Sequence, residues 1–136
     1  MRKRTLTLTL ALALSLGVVP AAAGIDATPA AAASVTTPTV AKSIAKKLVK
    51  QRGWSTAQYS CLVKLWQRES GWRVTAGNTS RAYGIPQAYP GTKMATQGKD
   101  WRTGATTQIK WGMKYISGRY SKPCTALNHS NRYGWY

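Results

Sequence analysis

The chain has 136 residues, and twenty Lys and Arg residues against three Asp and Glu residues give it a formal net charge of +17. Two cysteines and one histidine are too few for a transition-metal site of the ordinary kind, so we expect neither a metal nor a cofactor. The sequence also lacks a phosphate-binding glycine loop, a dinucleotide fingerprint and a nucleophile-elbow motif, which argues against the common nucleotide-binding and serine-hydrolase classes.

The N-terminal part of the chain contains the features of an export signal in their usual order. A basic start and an apolar run that ends at Val19 are followed by Pro20 and three alanines. This order predicts a signal peptide over residues 1–23, with the alanine run 30–33 as an alternative cleavage region. A membrane anchor is the competing interpretation, but the apolar run is short for a span of roughly 20 residues. Residues 24–38, rich in Ala, Thr and Pro, are typical of a flexible lead-in.

Export would determine the oxidation state of the cysteines and the polymers that the mature protein meets. We expect a secreted protein, extracellular or associated with the cell wall, with one domain over residues 39–136. Export favours a disulfide between Cys61 and Cys124 over a catalytic thiol, since His129 is the only histidine. The charge predicts adhesion to anionic polymers, which outside a cell are cell-wall polymers and membrane head groups rather than nucleic acid. We expect a monomer without stable membrane insertion.

Helical periodicity predicts two amphipathic helices at the start of the domain. The first covers 40–51, and its apolar face consists of Val40, Ile44, Leu48 and Val49. This basic helix either packs on the next helix or lies on a membrane surface. The second starts near Thr56, behind the S-x-x-Q capping box of Ser55 and Gln58, and ends at Gly71. Its apolar stripe consists of Tyr59, Leu62, Val63 and Trp66.

The rest of the domain contains a loop, a third helix and a tail. Glycine and two prolines within 81–91 predict a compact loop or a short strand pair, and 92–97 is one helical turn. A third helix is expected over 101–120 and ends before Pro123. Its buried stripe consists of Ala105, Ile109, Gly112, Met113, Ile116 and Tyr120. Trp111 and Tyr115 lie off this stripe and face a cleft, and the tail 124–136 holds one more turn. The domain is therefore mainly α-helical.

Glu69, the only glutamate of the chain, is the leading catalytic candidate. It follows Trp66 by three residues and Leu65 by four, which places its carboxyl at the edge of the apolar stripe. Contact with indole and aliphatic surface would raise its pKa and make it a general acid near neutral pH. In a solvated position, Arg68 and Arg73 would lower the pKa instead. Position alone does not separate these two interpretations.

Carbohydrate chemistry fits the remaining composition. Six tryptophans and seven tyrosines either fill a core without phenylalanine or line a sugar-binding cleft. An ordinary glycosidase uses two carboxylates. Here the second could only be Asp100, for which we favour a role in capping the helix that follows it. A single useful carboxyl favours a reaction in which one group acts first as acid and then as base.

Two motifs carry a family resemblance. Arg68-Glu69-Ser70-Gly71-Trp72 and Ala82-Tyr83-Gly84-Ile85-Pro86-Gln87-Ala88 resemble secreted bacterial lytic transglycosylase-like proteins. These belong to the lysozyme-like group, which includes soluble lytic transglycosylases and goose-type lysozymes. Further matches extend the resemblance over about 42–136. One departure is Arg81, which stands where the family usually has glycine and adds a side chain and a charge beside the presumed cleft.

The resemblance implies a small lysozyme-like domain that acts on peptidoglycan glycan strands. Glu69 would protonate the oxygen between N-acetylmuramic acid and N-acetylglucosamine, then accept the C6 hydroxyl proton, giving 1,6-anhydro ends. Tyr83 and Gln87 would line the sugar site, Tyr115 would sit near Glu69, and Ser70 would hold the helix end. The alternatives are a hydrolase of the same bond, a non-catalytic basic wall-binding protein and a membrane-active basic protein.

Overall fold

Helices account for most of residues 34–136, the part of the chain that the computed structural model describes. The predicted signal peptide and most of the lead-in lie outside this part. The α-helices are α1 Pro38–Gln51, α2 Thr56–Ser70, α3 Ala105–Tyr120 and α4 Pro123–Tyr133, and a short 3₁₀ helix, Gly91–Thr96, precedes α3. The loop before the 3₁₀ helix holds only isolated β-bridges, from Tyr83 to Gly77 and to Ala88. The predicted mainly α-helical domain with an irregular loop is confirmed.

Local chemistry sets the ends of the first two helices, and the predicted cap and end of α2 are confirmed. Thr37 caps α1, and Ser55 caps α2 by accepting a hydrogen bond from the backbone N–H of Gln58 at 3.4 Å. Gly71 ends α2 in the left-handed conformation, with φ of 60°. The reciprocal half of the capping box is not formed, because the Gln58 side-chain oxygen accepts a bond from the backbone N–H of Cys124 at 2.9 Å. The same residue therefore ties α2 to α4.

The buried face of α1 differs from the predicted face. Val40 is 50% exposed, and Ile44 and Leu48 are only half-buried. The fully buried residues of α1 are Ala41, Ala45 and Val49. Small alanine side chains let α1 lie close to α2 and α3, whereas a prediction based on large apolar residues gave them no weight. Within 34–136, no helix combines the length and the apolar character that crossing a membrane requires.

The second half of the domain confirms the stripe of α3 and corrects its boundaries. All six predicted stripe residues are buried. The helix begins at Ala105 rather than at 101, because Gly104 N–H bonds to the Asp100 carbonyl in a preceding turn. It ends at Tyr120, and Pro123 is the first residue of a new helix. This helix, α4, spans eleven residues rather than one turn, and it packs on α2. Its buried residues are Pro123, Ala126, Leu127 and Ser130.

The disulfide between Cys61 and Cys124 is present and joins α2 to α4. Replacing both cysteines with alanine is expected to lower the free energy of unfolding by about 3 to 4 kcal/mol, because a cross-link across 63 residues no longer restricts the unfolded chain. Thermal denaturation of wild type and double variant, each with and without reductant, measures this difference. Reductant should destabilise the wild type alone. A double variant within about 1 kcal/mol of wild type would contradict the prediction.

Candidate active site

Glu69 lies in the last turn of α2 with its side chain half-buried. One turn earlier Trp66 is fully buried, and the next residue, Ser70, is 3% exposed. Burial raises the pKa of the Glu69 carboxyl above its ordinary value, while the charge of Arg68 lowers it by less. The effect of burial on the Glu69 pKa is thus larger than the effect of the Arg68 charge. Burial therefore stabilises the protonated form relative to that of a solvated glutamate, which is the direction that a general acid requires.

Tyr136, the last residue of the chain, brings a phenol close to Glu69. Its hydroxyl accepts a hydrogen bond from the Trp66 indole N–H at 2.7 Å and donates one to the Pro86 carbonyl at 2.7 Å. Burial, and next the negative charge of Glu69, raise the pKa of Tyr136 well above its ordinary value. The phenol is therefore neutral at physiological pH and lies within electrostatic range of the carboxyl. It links α2, the chain end and the loop before the 3₁₀ helix.

Ser70 fastens the end of α2 to the same loop. Its hydroxyl donates to the Ile85 carbonyl at 2.7 Å and accepts from the Trp72 backbone N–H at 3.1 Å. A side chain that is 3% exposed has little surface to offer a substrate. These contacts make Ser70 a support that fixes the loop relative to Glu69.

Gln108 holds the loop from the other side. This fully buried amide donates to the carbonyls of Val74 and Trp101 at 2.9 and 2.8 Å and accepts from the Ile85 N–H at 2.8 Å. Gly84 permits the approach, because a Cβ there would lie 2.5 Å from the Gln108 side-chain oxygen. Sequence reasoning gave Gln108 no role. Its place on the apolar stripe, three residues after Ala105, was the signal that could have found it.

Gln87 lines a cavity of about 180 Å³ at the edge of this loop. Its backbone has φ of 53°, and its amide nitrogen donates to the carbonyls of Ala76 and Gly84 at 3.1 and 3.0 Å. Because both bonds engage the nitrogen, the amide oxygen is the atom that can accept a bond from a ligand. The cavity is lined by Pro86, Gln87, Ala88, Tyr89, Lys93, Trp111, Tyr115 and Tyr136.

Trp111 and Tyr115 form the aromatic wall of the cavity, as their position off the α3 stripe predicted. Their rings stack with centroids 5.5 Å apart and planes 9° from parallel. The Tyr115 ring also contacts Tyr136 edge-on, at 5.8 Å between centroids. Glu69 is not one of the lining residues, but its charge acts on Tyr136, which is one of them. The lining therefore combines flat aromatic surface with the Gln87 amide.

Tyr83 and Arg81 do not line this cavity. Tyr83 is 7% exposed, packs edge-on against Trp101 at 5.9 Å and donates its hydroxyl to the Arg102 carbonyl at 2.8 Å. This placement favours a supporting role over the sugar contact that the resemblance implied. Arg81 is exposed at a position without positive φ, so the residue that departs from the family pattern is accommodated without backbone strain.

The carboxylate of Asp100, which lies just before α3, forms a hydrogen bond within the protein. It accepts this bond from the Thr107 hydroxyl at 2.6 Å. The N-cap residue is Gly104, and no side chain caps the helix, so the predicted capping by the Asp100 carboxylate is wrong. The bond to Thr107 instead braces the turn 101–104 against the first turn of the helix.

Comparison with protein-family models, curated proteins and solved structures found no match for the chain. In the described range, 34–136, no group of three or more His, Cys, Asp or Glu residues is arranged to hold a metal ion. Every buried side-chain nitrogen and oxygen of that range has a hydrogen-bond partner. Within this range, Glu69, Tyr136 and the aromatic cavity are the features that bear on function.

Proposed function

We propose that the protein is a lytic transglycosylase with a lysozyme-like domain, which cleaves peptidoglycan between N-acetylmuramic acid and N-acetylglucosamine. The observation that carries the proposal is the sheltered carboxyl of Glu69. Burial raises its pKa, and its charge acts on Tyr136, a neutral phenol that also lines the aromatic cavity. The motifs around Glu69 and Gln87 supply the substrate class through their resemblance to this family.

The reaction needs one carboxyl that gives and then takes a proton. Protonated Glu69 donates its proton to the glycosidic oxygen as the bond between that oxygen and muramoyl C1 breaks. The resulting Glu69 carboxylate accepts the proton of the muramoyl C6 hydroxyl while that oxygen bonds to C1. The product is a 1,6-anhydro ring, no water is consumed, and the acid is regenerated. Asp100, already bonded to Thr107, has no part in this sequence.

The cavity offers the contacts that such a sugar requires. Trp111 and Tyr115 present aromatic faces on which the apolar face of a pyranose stacks. The Gln87 amide oxygen accepts a bond from a hydroxyl or an N-acetyl N–H. The excess of Lys and Arg retains the secreted monomer on anionic wall polymers, since release of counterions favours such binding. The Cys61–Cys124 disulfide fits an exported protein.

The chemical form of the new glycan ends tests the proposal. Purified peptidoglycan digested by the protein should yield muropeptides with 1,6-anhydro ends, each one water lighter than the corresponding reducing muropeptide in a mass spectrum. Reducing muramic acid ends would show a hydrolase of the same bond and overturn the proposal. The absence of new ends, with the protein still sedimenting with the wall, would show a wall-binding protein without this activity.

A further inference from the structure

A second cavity, of about 340 Å³, is formed by the end of α1, the residue that follows the 3₁₀ helix, and α3. Its volume lies in the range of small-ligand sites, roughly 300 to 1,000 Å³. The side chains of Leu48 and Met113 supply its apolar lining. Its polar lining consists of Gln51, Arg52, Gln97, Lys110 and Lys114, none of which lines the aromatic cavity. The two cavities are therefore separate sites.

The charge of the second cavity is positive. Arg52, Lys110 and Lys114 line it, whereas the only two carboxylate side chains within residues 34–136, Glu69 and Asp100, do not. Cations without a neighbouring carboxylate repel one another until an anion is bound between them. The cavity therefore favours an anionic ligand.

Contacts within the protein hold the arginine of this cavity in place. The Nη1 atom of Arg52 donates a hydrogen bond to the Met113 carbonyl at 3.3 Å, and its guanidinium lies over the Trp54 ring at 5.2 Å from the centroid. The bond engages Nη1, which leaves Nη2 and Nε as donors for a ligand. The carbonyls of residues 48–50, at the end of α1, accept bonds from the backbone N–H groups of residues 52–54, so they present no unbonded oxygen to an anion.

The arrangement of the donors suits a tetrahedral anion. Lys110 and Lys114 are four residues apart on α3 and share one face of it, while Arg52 comes from the end of α1. The Gln51 and Gln97 side chains add amide donors from two further positions. A planar carboxylate is satisfied by a single arginine, whereas the oxygens of a phosphate group point in several directions and accept bonds from several elements.

We propose that this cavity binds the phosphodiester groups of a polyol phosphate chain and so anchors the protein to an anionic polymer outside the cell. The amide groups of Gln51 and Gln97 would bond the polyol hydroxyls between the phosphates. The inference goes beyond the proposed function, because the site shares no lining residue with the aromatic cavity and does not require cleavage.

Binding of a defined polymer tests the inference. Poly(glycerol phosphate) is titrated into the disulfide-bonded protein at fixed ionic strength, and the Kd is measured by calorimetry. Lys110→Gln combined with Lys114→Gln should weaken binding by about tenfold, because two charge-assisted contacts are lost. The control, Lys46→Gln combined with Lys50→Gln, removes the same charge at the same helical spacing from the exposed face of α1. It should weaken binding by less than about twofold.

Two further measurements locate the site and identify the ligand. Saturation with the polymer should shift the NMR signals of the Trp54 indole N–H, which lies beside Arg52, and of the Gln97 side-chain amide. Polyglutamate of equal charge should bind more weakly, and the substitutions at Lys110 and Lys114 should affect it less. Equal weakening of both polymers, or equal weakening by the control pair, would show general attraction between charges and overturn the inference. So would a loss that is confined to vesicles of anionic phospholipid.

The same titration separates this inference from the proposed function. Glu69→Gln protein should bind poly(glycerol phosphate) as tightly as wild type, because Glu69 does not line the second cavity. Tight binding that depends on Lys110 and Lys114 supports the inference even if no anhydro ends form. Conversely, cleavage to anhydro ends by a protein that does not bind the polymer would overturn the inference and leave the proposed function intact.

Discussion

Replacing Glu69 with glutamine is expected to reduce the rate of glycosidic cleavage by a factor of about 10³ to 10⁴. Glutamine keeps the size of the side chain but has no proton to give to the glycosidic oxygen and no carboxylate to receive one from the C6 hydroxyl. The fold should be retained, because the substitution removes a half-buried acid rather than a packing group. Release of muropeptides from purified wall, with circular dichroism of the variant, measures both effects.

Arg68→Gln is the matched control on the same helical turn. Arg68 is exposed and lowers the pKa of Glu69, so its removal should preserve cleavage and raise that pKa further. A general acid works only while protonated, so activity falls as pH rises through the Glu69 pKa. The alkaline limb of the rate profile should therefore move to higher pH in Arg68→Gln. Cleavage by Glu69→Gln at more than a tenth of the wild-type rate would exclude the acid role.

Replacing Gln108 with leucine is expected to lower the free energy of unfolding by about 5 kcal/mol. Leucine leaves three buried backbone groups without partners, namely the Ile85 N–H and the carbonyls of Val74 and Trp101. Each such group costs about 1 to 3 kcal/mol, against a total stability of roughly 5 to 15 kcal/mol for a domain of ordinary kind. Chemical denaturation followed by tryptophan fluorescence measures the loss.

Two further variants separate this explanation from a general sensitivity to substitution. Gln108→Glu keeps an acceptor for Ile85 but loses the donors to both carbonyls and buries a carboxyl, so it should also be strongly destabilising. Gln51→Leu makes the same chemical change at the exposed end of α1 and should alter stability by no more than about 0.5 kcal/mol. A loss of less than about 1 kcal/mol in Gln108→Leu would show that the loop does not depend on this amide.

Features decided within a few residues could be predicted from the sequence. Ser55 caps α2 through its first turn, and Gly71 ends α2 because it adopts positive φ. The apolar stripe of α3 followed from spacing. Gly112 belongs to this stripe, and a Cβ there would lie 2.5 Å from the Trp66 ring. Glu69 was found because a single carboxyl at the end of an apolar stripe is conspicuous in such a basic chain.

Features that depend on contacts between distant segments escaped prediction. Tyr136 owes its role to bonds with Trp66 and Pro86, which are 70 and 50 residues away along the chain. It belongs to no periodic apolar pattern, so the sequence did not indicate its burial. Gln108 bonds to a carbonyl 34 residues away. The buried face of α1 depends on how closely α2 and α3 approach it, and alanine carries almost no signal of burial. Such arrangements emerge only when the helices are assembled.

The most direct test of the account is the pKa of one carboxyl. Glu69 is the only glutamate, so protein labelled with ¹³C at the glutamate side-chain carboxyl gives a single such resonance, which NMR can follow with pH. Burial at the end of α2 predicts a midpoint above the ordinary value of 4.5, and the alkaline limb of cleavage should follow it. A midpoint at or below 4.5 would show a solvated carboxylate governed by Arg68, and would contradict the sheltered acid on which the proposed chemistry rests.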